Sequence, residues 1–314
     1  MKETSRIKTS SKVVINKYIF IIGMLFFPLA QFMIFYVYMN FNNIMMAFKG
    51  MRSDYSTYWV GFDNFVAAIK GTESKYILIS LRNNLSMFFL TWGIGMPLNI
   101  LFGYYLFKKC VGHRIIRIIY LLPNMVSGVV MAMLFMKFVE IGLPAMWNEF
   151  FNAPLANLLR NNSTAFGVQV FYTLWLGFAT SIIIYSNAMF SIDPEIIEAG
   201  KIDGTNNFRE LIYIVIPLIA PTLSTYIITG TAGIFTGGGA LYIFYGLSGV
   251  PEQAYLMGYY LFKIAMVGDL TAYPLSSAVS LMLTAVTIPI TLLARWALDK
   301  LNPMRDDIDR GKVV

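Results

Sequence analysis

Charge is what this chain has least of. Of its 314 residues, 13% are Asp, Glu, Lys or Arg, about half the share in an ordinary soluble domain. That is too little to coat a globule of this length, so a soluble enzyme and a disordered chain are both excluded. Cysteine and histidine are represented once each, by Cys110 and His113. This excludes a disulfide framework and a Cys/His metal cluster, and no metal site is expected. The chain also lacks a Pro- or Ser-rich linker, a low-complexity tract and a clear internal repeat, and reads as one domain. A phosphate-binding loop of the form Gly-x-x-x-x-Gly-Lys-Ser/Thr is missing, because the two Gly-Lys pairs, Gly200-Lys201 and Gly311-Lys312, precede Ile and Val.

Apolar residues are abundant instead: 57% of the chain is hydrophobic and 16% aromatic, with a mean hydropathy of +0.62. Long apolar stretches fall at 18–40, 84–107, 115–136, 165–190, 217–235 and 274–296. Each is long enough, or nearly so, to cross about 30 Å of hydrocarbon as a helix, which satisfies its own backbone in lipid. The expected class is therefore an all-α integral membrane protein with six spans. None of these stretches contains Asp or Glu, where a proton- or sodium-coupled carrier would usually place a carboxylate. Pro28, Pro97, Pro123 and Pro289 lie in or near span interiors and read as kinks or close packing. The basic start imitates a signal peptide, but its apolar run is too long and no Ala-x-Ala-like site closes it. It reads as an uncleaved first span.

The net charge of +7 reflects orientation rather than nucleic acid, for which no binding is expected. With the N-terminus inside, the inside segments hold 16 of the 24 Lys and Arg and the outside segments hold 8. The positive-inside rule then places both termini in the cytoplasm. Residues 1–17 read as a cytoplasmic basic leader, 18–298 as the membrane domain and 299–314 as a cytoplasmic tail.

The loop at about 191–216 stands apart, with Lys201 and Arg209 against Asp193, Glu195, Glu198, Asp203 and Glu210. Asp193 can cap a helix at 194–201, with Pro194 at its first position and Glu195 in its first turn. Asp203-Gly204 can end that helix through the left-handed conformation open to glycine. Asn206 or Asn207 can cap a second helix leading through Phe208, Leu211 and Ile212 to Pro217. Ile196, Ile197 and Ala199 read as exposed apolar residues on an acidic helix. Anionic lipid would repel such a helix, which favours a protein groove as its seat.

The run Glu198-Ala199-Gly200, then Ile202-Asp203-Gly204, then Ile216-Pro217 resembles the Glu-Ala-Ala loop of membrane subunits in binding-protein-dependent ABC importers. Gly61-Phe62-Asp63-Asn64-Phe65 and Arg117-Ile118-Ile119-Tyr120-Leu121-Leu122-Pro123 are similar to segments before the second and third spans of carbohydrate permeases, the maltose-type importers fitting best. Gly200 departs from the Ala often found in that family. The resemblance implies a six-helix type I ABC importer permease whose loop helix docks on a cytoplasmic ATPase. Glu198 would meet a basic residue there, Ala199 and Gly200 would permit close approach, and Asp203-Gly204 would set the turn.

It further implies that this chain binds no cofactor, with ATP and Mg held by two ATP-binding subunits. A second homologous permease subunit, an external solute-binding protein, membrane lipid and a carbohydrate substrate, an oligosaccharide, complete the expected partners in a bacterial plasma membrane. Counting from Glu198 and Pro217, the sugar-lining positions of maltose-type subunits fall on Thr173, Leu176, Gly177 and Thr180. A second set falls on Gly230, Gly233, Ile234 and Gly237, where Gly and Ile replace the family's polar and aromatic liners. Trp175 belongs to the same Trp-Leu-Gly run and offers an aromatic face. The alternatives are a permease for a peptide or glycerophosphodiester, a secondary transporter, and a regulatory membrane protein that uses the loop only for docking.

Overall fold

The computed structural model describes residues 11–247, 249–267 and 270–301, with side chains for 18–247, 249–267 and 271–300. Among the described residues six helices are long and apolar enough to cross a membrane: Tyr18–Ala47, Ser74–Phe107, Gly128–Phe151, Ala165–Phe190, Asn207–Ala232 and Tyr273–Lys300. Their most apolar windows are at most 22% buried, so the bundle turns most of its apolar surface outward, as a protein solvated by lipid does. The first span is the extreme case, with none of its window buried. It rests on the last span only near its end, where Ser277 Oγ donates to Asn43 Oδ1 at 2.6 Å. The basic residues Lys2, Arg6, Lys8, Arg305, Arg310 and Lys312 lie outside the described residues, whereas the expected leader is already helical from Ser11.

Besides the π-type segment Phe32–Tyr38 of the first span, three spans contain a wider, π-type turn ahead of a proline, at Thr91–Gly95, Phe138–Gly142 and Leu211–Val215. Each runs into an α-helical segment whose second residue is proline: Pro97, Pro144 and Pro217. Proline has no N–H and its ring crowds the carbonyl four residues earlier, and in all three cases that carbonyl belongs to the wider turn. The helices therefore absorb these prolines without breaking.

Pro123 behaves differently and corrects the expected third span. The helix His113–Met125 stops two residues after it, Val126 is extended (φ −91°, ψ 144°), and a new helix starts at Gly128. The span proper is Gly128–Phe151 rather than 115–136, and it contains Glu140 and Glu149. The fifth span likewise begins at Asn207, taking in Glu210, and ends at Ala232 rather than 235. Hydropathy stops at a charge, whereas a helix continues wherever that charge finds a partner. Glu140 finds Arg160 at 3.6 Å and Lys137 at 3.9 Å.

Among the described residues the fold departs from all-α at one small hairpin, Lys49–Met51 paired antiparallel with Thr57–Trp59. A Cβ on Gly50 would sit 2.6 Å from the Tyr58 ring, so glycine lets that ring lie flat across the partner strand. In the hairpin turn Asp54 accepts from the Ser56 hydroxyl at 2.6 Å and its amide at 3.0 Å, which holds its carboxyl below the ordinary value. The Gly-Phe-Asp-Asn-Phe segment closes this end of the bundle. Asn64 Nδ2 donates to the carbonyls of Ala47 and Lys49, while Phe62 and Phe65 pack on Phe48.

Contacts sort the loops to opposite ends. Lys108, just past the second span, bonds Glu210 of the acidic loop. At the other end of that span, Lys75 pairs with Glu252 at 2.5 Å and Arg82 donates to Gln253 at 2.9 Å. Two buried neighbours fasten the second span to the connection between the fifth and sixth. Asn83 donates to the carbonyls of Gln253 and Tyr255. Asn84 donates to Ile234 O and accepts from Met257 N, both at 2.9 Å. Replacing Asn84 by Leu should leave two buried backbone groups without partners, at about 1–3 kcal/mol each. The expected outcome is a clearly lowered thermal unfolding temperature of the purified protein in detergent, and an unchanged temperature would show the clamp to be dispensable.

Candidate functional site

Two regions carry the residues singled out by sequence. The first is the acidic loop. Its helix, Pro194–Ile202, starts where Asp193 accepts from the Glu195 amide at 3.0 Å. It ends in a double closure: Gly204 N donates to Lys201 O and Thr205 N to Gly200 O, with Gly204 at φ +75°. This pairing satisfies the last carbonyls of a helix and needs the left-handed residue that glycine supplies. Asn206, not Asn207, caps the following helix, accepting from the Arg209 amide at 2.9 Å.

The loop helix has two faces, and one expectation about them is corrected. Ile197 is buried, packing in a cluster with Ile192, Leu211 and Val215. Gly200 is also turned inward: a Cβ there would lie 2.6 Å from Ile214 Cδ1. Gly200 thus lets the loop helix approach its own fifth span, not a partner. The outward face carries Ile196, Glu198, Ala199 and Ile202, and Ile202 is 86% exposed. Phe208, 67% exposed, extends this apolar surface. Asp203 and Gly204 are exposed at the turn.

Beneath the loop lies an ion pair that sequence reading missed. Glu210 is 2% exposed, and Lys108 Nζ lies 2.9 Å from each of its carboxylate oxygens. The Tyr104 hydroxyl sits 3.0 Å from both Glu210 Oε1 and the Asn207 carbonyl. The only sequence signal was an acidic residue, next to Arg209, at the head of the apolar run leading to Pro217.

The second region is a groove of about 450 Å³ along the fourth span. Thr173, Leu176, Gly177 and Thr180 all line it, joined by Tyr172, Asn124, Gly128, Gly239, Ala240 and Ile243. The spacing of the four predicted residues puts them on one helical face. A Cβ on Gly177 would meet nothing within 4 Å, so that position opens onto the groove. Asn124 Nδ2 donates to Thr180 Oγ1 at 2.9 Å. Asn124 went unnoticed because it lies in the short helix before the Val126 break, whose place beside the fourth span is a tertiary fact.

Trp175 is not in the groove. It packs on Phe135, with ring centroids 6.0 Å apart, and near Tyr172. The second predicted set is not brought together as a lining face, because the fifth span ends before most of it. Gly230 lies against Trp92, whose ring occupies the place a Cβ would take. Gly233 closes the helix, Ile234 is buried with its carbonyl on Asn84, and Gly237 is exposed in the connection that follows.

The chain thus combines six helices able to span a membrane, a groove along the fourth that mixes apolar residues with Asn124, Tyr172, Thr173 and Thr180, and a capped helix at one end. Residues 93–306 match the family described as binding-protein-dependent transport system inner membrane component, and the chain belongs to that family as a multi-pass transport permease. It is similar to the polygalacturonan/rhamnogalacturonan transport system permease protein YteP of Bacillus subtilis, at 24% identity over 72% of this chain and 71% of the relative. It is also similar to the multiple sugar-binding transport system permease protein MsmF of Streptococcus mutans, at 26% identity over 68% and 76%. The sn-glycerol-3-phosphate transport system permease protein UgpA of Yersinia enterocolitica matches at 28% identity over 53% and 56%. In fold it resembles a chain of a bacterial ABC transporter involved in the import of the acidic polysaccharide alginate. That likeness has a TM-score of 0.78 at 21% identity, covering 91% of this chain and 97% of the other.

Lys108→Met leaves Glu210 buried without its counter-charge, a change that costs about 3–5 kcal/mol. The double variant Lys108→Met with Glu210→Gln should recover much of that loss. Thermal unfolding of the three proteins in detergent measures both steps, and equal stability of single and double variants would contradict the assigned pairing.

Proposed function

We propose that this chain is one of two membrane subunits of an ATP-driven importer that passes a carbohydrate, an oligosaccharide, from an external solute-binding protein into the cell. The observation that carries this reading is the convergence of Thr173, Leu176, Gly177 and Thr180 on one groove with Tyr172 and Asn124. Hydroxyl and amide groups suit sugar hydroxyls, and an aromatic ring suits sugar C–H faces. The names of the two sugar-transport relatives support the same substrate class. The glycerol-3-phosphate relative favours a second reading. However, no Lys or Arg lines the groove to meet a phosphate, whereas Asn124, Tyr172, Thr173 and Thr180 offer amide and hydroxyl groups to sugar hydroxyls.

In this reading the outward face of the loop helix docks on the ATPase through Glu198, Ala199, Ile196 and Ile202, with Asp203-Gly204 holding the turn. Glu198 is exposed and no hydrogen bond or ion pair engages it among the described residues. Two ATP-binding subunits hold ATP and Mg, and this chain holds no cofactor. A second permease subunit covers part of the outward surface, to which the bare first span contributes. The loop end of the bundle faces the cytoplasm together with both termini, which flank a permease domain at 18–298 in a bacterial plasma membrane. Secondary transport is disfavoured, because the carboxylate buried at the loop end, Glu210, already has a cation.

Two substitutions separate docking from passage. Glu198→Lys should reduce co-purification of the ATPase while membrane insertion is unchanged. Gly177→Trp should fill the groove and sharply reduce uptake from a length ladder of malto-oligosaccharides and oligogalacturonides while ATPase recovery is retained. In proteoliposomes holding the complete complex, uptake should require ATP and the binding protein and survive an ionophore. ATP-independent uptake that an ionophore abolishes would overturn the reading.

A further inference from the structure

The fourth span carries a buried group that the groove, as it stands, does not use. Gln169 is fully buried, and among the described residues neither its amide oxygen nor its amide nitrogen has a hydrogen-bond partner. Leaving both ends of a buried amide unpaired is unfavourable, and an apolar residue of similar size would avoid it. Gln169 lies one turn before Thr173, so it continues the face formed by Thr173, Leu176, Gly177 and Thr180. The extension runs away from the loop end, toward the end where Lys75 meets Glu252.

One residue of the groove lining lies directly against this amide. Gly239 lines the groove, and a Cβ on it would lie 2.6 Å from Gln169 Nε2. Its φ of +56° is a second reason for glycine there. Gly239 belongs to the connection at 233–240, where four of eight residues are glycine. Around residues 237–239 the hydrogen bonds are long: 3.5 Å from Asn84 Nδ2 to Gly237 O and 3.4 Å from Leu241 N to Gly238 O. The cover over Gln169 is thus a glycine-rich backbone strip that packs on Gly258 and is held around residues 237–239 by long hydrogen bonds only.

Resting on the reading of the groove as the solute route, we propose that Gln169 is a further hydrogen-bonding residue of that route. The glycine strip closes over it in the state seen here. When the strip moves, the amide offers one acceptor and two donors to a hydroxyl-bearing solute, one helical turn beyond Thr173.

Cysteine labelling tests this without knowledge of the solute. The complete transporter is assembled with a Cys110→Ser chain carrying Gln169→Cys and placed in nanodiscs with the binding protein. A water-soluble maleimide is the probe. Labelling should be slow without nucleotide and at least about tenfold faster after trapping with ATP and vanadate, as when a minor open state becomes the main one. Equally slow labelling in both states overturns the proposal. Gly177→Cys in the same background distinguishes the two readings. If it reacts and the cysteine at 169 never does, only the role of Gln169 fails, whereas an unreactive Gly177→Cys in every state removes the route itself. Gln169→Leu covers the case in which the cysteine variant does not assemble. It should assemble at least as well as the parent, since it removes unpartnered atoms, yet raise the uptake KM about tenfold, the size of one lost hydrogen bond. Uptake with an unchanged KM would assign Gln169 to packing alone.

Discussion

The fold at the loop end depends on one buried charge finding its partner. Glu210 lies almost out of reach of solvent, where an isolated carboxylate is strongly disfavoured. Lys108 and the Tyr104 hydroxyl meet it from the end of the second span. A pair of this kind adds little net stability over apolar packing, but it tolerates little misplacement, because separating the charges leaves both unsatisfied. It therefore fixes where the acidic loop sits against the bundle. Displacement of the loop helix would be carried to the second span through Glu210 and to the fifth through the covalent chain.

Small residues perform the matching task along the helix contacts. Gly200 admits Ile214, Gly230 admits Trp92 and Gly258 admits the backbone around Thr236 and Gly238. In lipid there is no hydrophobic gain from pressing apolar helices together, so close backbone approach and buried polar contacts take its place. The Asn83-Asn84 pair supplies such contacts at the other end of the second span. That span is thus held at both extremities by polar groups, and its sides are packed by glycine-permitted contacts.

The groove is built from pieces far apart in sequence: the fourth span, the helix before Val126, and the glycine-rich connection after the fifth span. One wall comes from a continuous helix and the other from a connection rich in glycine.

Much of this was legible in the sequence. Six spans follow from apolar runs, since only a helix can hide its backbone in lipid at that length. Local rules also set the loop helix, because Asp193, Pro194 and Gly204 act through neighbours a few residues away. The four groove residues of the fourth span came from the resemblance to maltose-type subunits, and their helical spacing explains why they share one face wherever the helix lies. The missed features share a cause. Glu210 with Lys108, Asn124 with Thr180, and Gly230 with Trp92 are meetings of distant segments, and nothing local distinguishes a partnered charge from an expelled one. The inward turn of Ile197 and Gly200, and the end of the fifth span at Ala232, were decided the same way. Composition and periodicity determined which segments cross and which residues share a face; only tertiary packing decided what each face meets, because that depends on which other helix stands opposite.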